Sequence, residues 1–407
     1  MKGWLGRAAF VAAIAAGVFA CQERLTSPGQ CPELCPGGTP VVFDTVVSAV
    51  TGGDESVSGY VARGGGVALL TSSGLPASED RTVYRFVSRL DSITVRDTAR
   101  AYTVDSVQLT LTMVARDTLV NGLKVVLYRL PADLDPDTAT FASVDPQLVD
   151  ASVIDTIAVP DSVNAGQIST MLRGPEADRV AIPVGTGGVL AMGLRIAADA
   201  PTGARFGSIA GGTGATFTTY VTVDVPDTAT SVVHQSLSRG AQDNSFVTQT
   251  PFVAPPGTLA IGGEPSSRAF IRFALPLRIR DSANVVRATL EMLPTAPVSG
   301  LPTDPTVLRA LAVLSDIGPK SPLTTDPRLV TDDTLSLGSA DTLRLDITRI
   351  VQLWQQSGER PEEVALILRP EGASFTRMAV GSTNPVSPAG APRLHITYLL
   401  SFPFENP

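Results

Sequence analysis

The sequence predicts an all-β protein, with two tandem antiparallel β-sandwich domains of jelly-roll-like form behind an N-terminal leader and a flexible tether. Three observations predict it. Short runs rich in Val, Leu, Thr and Ile recur along the 407 residues, punctuated by 36 Gly and 32 Pro, the pattern of strands bounded by turns. Several runs alternate apolar with polar residues. Leu109, Leu111 and Met113 stand against Thr110 and Thr112, and Leu394, Ile396 and Tyr398 against His395 and Thr397. That period of two puts one face of a strand in a core and the other in water. Finally, the chain is written twice: segments of one half echo segments of the other in the same order.

The N-terminus comes first. Lys2 and Arg7 form a short basic start, and an apolar run from Ala8 to Ala20 follows, ending in Val18-Phe19-Ala20-Cys21. This is the layout of a secretory signal, and the run is shorter than the ~20 residues a membrane span needs. Its Val-x-Ala-Cys ending resembles a bacterial lipoprotein signal. The resemblance implies a leader over residues 1–20, removed so that Cys21 is acylated and becomes the mature N-terminus. Gln22 in place of Asp after that cysteine implies the outer membrane of a two-membrane envelope. The partner expected at this end is therefore a membrane, reached through lipid.

Residues 21–40 are rich in Pro and Gly and read as a tether. They hold Cys31 and Cys35 in CPELCP. The spacing is wrong for a CxxC redox motif, and no third or fourth ligand lies nearby for zinc. A local disulfide or two idle thiols are the readings that remain.

The repeat sets the domains. Val41-Val42 matches Val232-Val233; Tyr84-Arg85-Phe86 matches Ile271-Arg272-Phe273; residues 104–111 match 285–292; Asp145–Val149 matches Asp326–Val330; Ala191–Arg195 matches Ala365–Arg369; and Phe206-Gly207-Ser208 matches Val380-Gly381-Ser382. Two homologous modules are expected, 41–228 and 229–402, with a tail at 403–407 and a Pro/Asp/Thr linker around 224–230. Within the second module, Ile347, Ile350, Val351 and Trp354 recur at helical spacing behind Asp346, predicting a short helix capped by that aspartate, with Trp354 in the core.

The second module resembles the DNRLRE-type extracellular β-sandwich domain. The likeness rests on Ser267–Phe273 with Leu275-Pro276, on Leu345–Trp354, and on Pro392–Tyr398 after Ala365–Leu368. The first module keeps Arg85-Phe86 and the late strands but carries Arg179–Gly188 where the Asp-Ile-Thr…Trp segment would stand. Such domains occur on bacterial surface proteins, and some are described as carbohydrate-binding modules. The resemblance implies a binding or structural role.

Composition and motifs narrow the chemistry. A net charge of −8 disfavours nucleic acid, which needs a basic footprint. There is no G-x-S-x-G elbow, and Gly211–Gly214 and Gly64–Gly66 lack the Lys and helix of a phosphate loop. His234 and His395 are the chain's two histidines; a metal pair between them is the sharp reading, exposed strand histidines the plain one. The recurrent Asp-Thr dipeptides, such as Asp117 and Asp333, are turn residues first, with loop-bound calcium as the alternative; no other cofactor is implied. One cluster stands out in this acidic chain: Arg268, Arg272, Arg278, Arg280 and Arg287, with Arg85 the counterpart in the first module. Planar guanidinium groups suit a carboxylated or sulfated polymer, while pairing with nearby Asp is the alternative.

The expectation is a non-enzymatic, lipid-anchored envelope protein, exposed at the surface or facing the periplasm. Its alternative is a pair of carbohydrate-binding modules for an acidic polysaccharide, and its remote alternative a glycan-active enzyme. Its partners would be a polysaccharide or another envelope protein.

Overall fold

The computed structural model describes residues 41–400, apart from 76–78, 185–187, 226–231, 305, 357–359 and 385–389. The leader, the tether, Cys21, Cys31, Cys35 and the tail lie outside the described residues. Contacts divide the chain into Asp44–Tyr398 and a second unit of the chain ends, Met1–Phe43 with Leu399–Pro407. Both sandwiches described below belong to the first, apart from the outer ends of the chain's first and last strands.

The protein is all-β. The chain opens with β1 (Val42–Ser48) and β2 (Asp54–Ser58). It continues through β3 (Ala68–Ser73), β4 (Asp80–Val87), a small hairpin of β5 (Ile93–Val95) and β6 (Thr98–Arg100), then β7 (Thr103–Arg116) and β8 (Lys124–Leu130). Next come β9 (Val153–Ala158), β10 (Gly166–Arg173), β11 (Val189–Ala197), β12 (Thr202–Gly207), β13 (Thr216–Asp224), β14 (Val232–Gly240) and β15 (Asp243–Thr248). The last part holds β16 (Thr258–Gly262), β17 (Ser267–Arg272), β18 (Ala283–Met292), β19 (Val307–Ala312), β20 (Val330–Thr334), β21 (Leu343–Asp346), β22 (Glu363–Arg369), β23 (Arg377–Gly381) and β24 (Arg393–Leu400).

These strands form two sandwiches. In the first, a sheet ordered β14-β13-β7-β12-β3, with β10 also on β7, faces a sheet ordered β15-β4-β11-β8-β9. Leu111, Met113, Leu127, Met192, Phe206 and Phe217 fill the space between them. In the second, β1-β24-β18-β21 is one sheet and β20-β19-β22-β17-β16-β23 the other, with β2 also on β17.

The two sandwiches match over nine strands each. The path β14-β13-β7-β10 corresponds to β1-β24-β18-β21, and β15-β4-β11-β8-β9 to β2-β17-β22-β19-β20. The match has a twist in connectivity. The leading strands of the first repeat, β1 and β2, complete the second sandwich, and the leading strands of the second repeat, β14 and β15, complete the first. Corresponding strands offer like pairing edges, so the exchange leaves each leading strand with the same kind of partner. A division at 228/229 separates the repeats in the sequence, but the hydrogen-bonded strands cross it in both directions. The first sandwich is continuous, from β3 to β15, and is inserted between β2 and β16 of the second.

The segments Ser267–Phe273 and Leu345–Trp354 meet in the second sandwich. Thr348 N–H donates to Asp346 Oδ1 at 3.0 Å and starts the helix Thr348–Gln356. That helix buries Ile350, Val351 and Trp354, and the Trp354 ring lies 6.2 Å from Phe273. In the first sandwich a shorter helix, Pro175–Val180, fills the same place between β10 and β11.

Candidate functional site

The most developed polar surface is the outer face of β14-β13-β7-β10. On β7, Val107, Leu109, Leu111 and Met113 are buried, so Ser106, Gln108, Thr110 and Thr112 point outward. On β13, Phe217, Thr219, Val221 and Val223 are buried, so Thr218, Tyr220 and Thr222 share that outer face. The side chains are tied to one another. Tyr220 OH donates to Gln108 Oε1 at 2.9 Å, Gln108 Nε2 reaches Ser169 at 3.5 Å, and the Thr218 and Ser238 hydroxyls meet at 3.1 Å.

A bulge shapes one end of this face. Tyr220 pairs with Ser106 but Val221 with Val104, leaving Asp105 as the extra residue. Thr222 Oγ1 donates to Asp105 Oδ2 at 2.5 Å and lies 2.9 Å from His234 Nδ1. The hydroxyl proton serves the carboxylate, so the imidazole N–H donates to Thr222. Asp105 is also 3.7 Å from His234. Met171, Arg173, Tyr220 and His234 border a shallow depression of about 500 Å³ here.

The matching face of the second sandwich, β1-β24-β18-β21, has a like depression of about 630 Å³. Thr289, Glu291, His395 and Thr397 point into it from β18 and β24, Arg344 from β21 and Asp44 from β1. Glu291 accepts from Arg344 Nε at 2.8 Å and lies 2.9 Å from His395 Nε2. The Arg344 guanidinium, and then His395, hold the Glu291 carboxyl below the usual carboxylate range. Thr397 donates to Asp44 at 2.5 Å. Both depressions fall within the ~300–1,000 Å³ of ordinary ligand sites but are open rather than enclosed.

The two histidines thus stand on corresponding faces of different sandwiches, each beside a carboxylate, rather than together as a metal pair. Among the described residues, no three His, Cys, Asp or Glu side chains gather where they could hold a metal ion. Asp117 does turn chemistry, accepting the Leu119 N–H at 3.0 Å.

The predicted basic row is a set of ion pairs. Arg268 is held by Glu371 through two bonds, one of 2.8 Å from Nη2 to Oε2, and its guanidinium sits 3.2 Å from the Tyr60 ring centroid. Arg272 meets Asp316 at 2.5 Å and Glu363 at 3.4 Å. Arg280 pairs with Asp281 at 2.9 Å, and Arg85 with Asp243 at 3.5 Å. Arg278 is exposed on the helix Leu277–Ser282. Phe270, between Arg268 and Arg272 on their face of β17, is buried against Val313 and Ala365, so that face is covered rather than open. Only Arg287, on the outer face of β18, borders one of the two depressions. Sequence reasoning had the signal for these faces in the Thr110/Thr112 and His395/Thr397 alternation, but alternation does not say which outward rows adjoin.

No family model matches the chain, and no curated protein matches it. Among solved structures, the infectious bursal disease virus VP2 subviral particle is 9% identical, over 89% of this chain and 77% of that one, with a TM-score of 0.15. Infectious bursal virus derived T=1 particles give 8% identity over 90% and 75%, with a TM-score of 0.13. Likenesses at this level carry no argument. No helix among the described residues is long and apolar enough to cross a membrane.

Proposed function

We propose that this chain is a lipid-anchored protein of the bacterial cell envelope that binds an extended polymer without catalysis, through the outer faces of its two sandwiches. The observation that carries the reading is the recurrence, on matching four-strand faces, of linked hydroxyl, imidazole and carboxylate groups. An open row of this kind suits a hydroxyl-rich chain such as a polysaccharide, which is gripped along its length. Two faces on one chain raise avidity when one polymer spans both. The lipobox-like ending at Cys21 and the DNRLRE-like segments support the envelope setting.

Affinity electrophoresis in gels containing cell-surface polysaccharides tests the binding. Tyr220→Ala and Thr397→Val should each weaken retardation, and together abolish it. Retardation unchanged in the double variant would defeat the proposal. Anchoring is tested separately: Cys21→Ser should leave the detergent-released lipoprotein fraction.

A second reading, an acidic polysaccharide, is favoured by Arg173 on the first face and by Arg287 and Arg344 on the second. Binding that falls steeply with added salt, and falls further in Arg287→Ala, selects it over a neutral glycan.

A further inference from the structure

The exchange of leading strands leaves one arm of the chain weakly seated. β1 and β2 precede the inserted first sandwich and reach the second sandwich from the far side of the connection 59–67. Strand β1 lies at the edge of its sheet, and β2 pairs only with β17. In β1 only Val47 is buried, and in β2 no residue is. The reciprocal arm is different. In β15 every residue from Asn244 to Thr248 is buried, and Phe246 and Val247 are fully so. Removing β14–β15 would open a core, whereas removing β1–β2 would mainly break backbone pairing.

What holds the arm is mostly polar, beside the buried Val47 and Ala49 and Val57 packed on the Phe270 cluster, and all of it is repeatable. Val50 N–H donates to Arg272 O at 2.8 Å, and Gly59 N–H to Ser266 O at 2.9 Å. Ser58 and Ser267 hydroxyls meet at 2.7 Å, and Thr383 N–H donates to Asp54 at 2.6 Å. Any identical arm would remake each of these bonds. Gly59, at φ +78° just beyond β2, occupies a backbone region open mainly to glycine and is a natural hinge. The nine residues from 59 to 67 span up to ~30 Å when extended, once the bonds from Arg63 to Ala139 O, Asn244 to Gly64 O and Ser208 to Gly66 O are released.

We propose that the partner for this edge is a second copy of the chain, whose β1–β2 arm completes the second sandwich by exchange. Reciprocal exchange would give a dimer. One-way exchange would give a chain of molecules, each lending its arm to the next. The inference is independent of any polymer bound on the outer faces.

Two differently tagged chains, one Ser58→Cys and one Ser267→Cys, test it. Both are made in a Cys31→Ser/Cys35→Ser background with Cys21 retained, co-expressed, and run on non-reducing gels. The expected result is a disulfide-linked heterodimer carrying both tags, lost when either new cysteine is omitted. The single chain with both substitutions should close the bond internally, which verifies the register. The proposal is overturned if the internal bond forms but no heterodimer does. It is equally overturned if Ser58→Cys chains link to one another as readily, since that marks random collision.

Discussion

Arg205 of the first sandwich and Asp304 of the second meet at 3.1 Å, with only 11% and 3% of their side chains exposed. Asp304 also accepts from Ser374 Oγ at 2.9 Å and Phe375 N–H at 3.0 Å through its Oδ2. Its Oδ1, the atom nearest Arg205, has no aligned hydrogen bond. Burial pushes the Asp304 carboxyl up, and Arg205 only partly offsets it. The two sandwiches are thus joined by a desolvated charge pair, beside which Leu301 and Phe375 enter the core of the first.

Arg205→Ala should destabilise the protein by about 3–5 kcal/mol at neutral pH, because a buried carboxylate loses its counter-charge. Asp304→Asn in the same chain should restore part of the loss. The sign with pH follows from the raised carboxyl: the native state keeps a proton that the unfolded state releases. The variant should therefore gain stability as pH falls toward the ordinary aspartate range. Urea unfolding of both variants at two pH values measures it; a cost independent of pH would show that Asp304 is not the source.

Glu264 is buried with Oε1 unpartnered. Burial, and then the Asp80 carboxylate, drive its carboxyl well above the usual range. The native state binds more protons than the unfolded one above the ordinary glutamate range, so stability falls as pH rises there. Glu264→Gln should flatten that slope and raise the melting temperature at pH 8 more than at pH 5. Scanning calorimetry at both values reads the difference.

Gly203 stands where a side chain has no room. A Cβ there would lie 2.6 Å from Leu301 Cδ1 and 2.8 Å from Phe375 Cζ. Gly203→Val should cost about 1–3 kcal/mol by overpacking, and Gly203→Ala less, because both neighbours are flexible side-chain ends. Chemical denaturation of the pair ranks them; equal stability would mean the two sandwiches are not closely packed at this point.

Trp354 is 1% exposed against Phe273. Trp354→Ala should cost about 3–5 kcal/mol, seen as a lower denaturation midpoint. An unchanged midpoint would place the indole outside the cooperative core.

The sequence by itself determined the all-β class, the strand alternation at Leu109–Met113 and Leu394–Tyr398, the Asp346-led helix with Trp354 inward, and the order of the duplicated segments. All of these depend on local pattern, which period, cap and spacing express directly. Tertiary structure alone decided where the repeats close. Periodicity marks Val47 or Phe246 as strand residues but cannot name the edge they join, and homologous edges accept either repeat's leading strands. It also decided the fate of the arginines. Arg268 and Arg272 are an open basic row on one strand until Glu371, Asp316 and Glu363, distant in the chain, are folded against them. The outer faces emerge the same way: Asp105, Thr222 and His234 become neighbours only when β7, β13 and β14 lie side by side, because pairing between strands depends on long-range hydrogen bonds that no short stretch of sequence encodes.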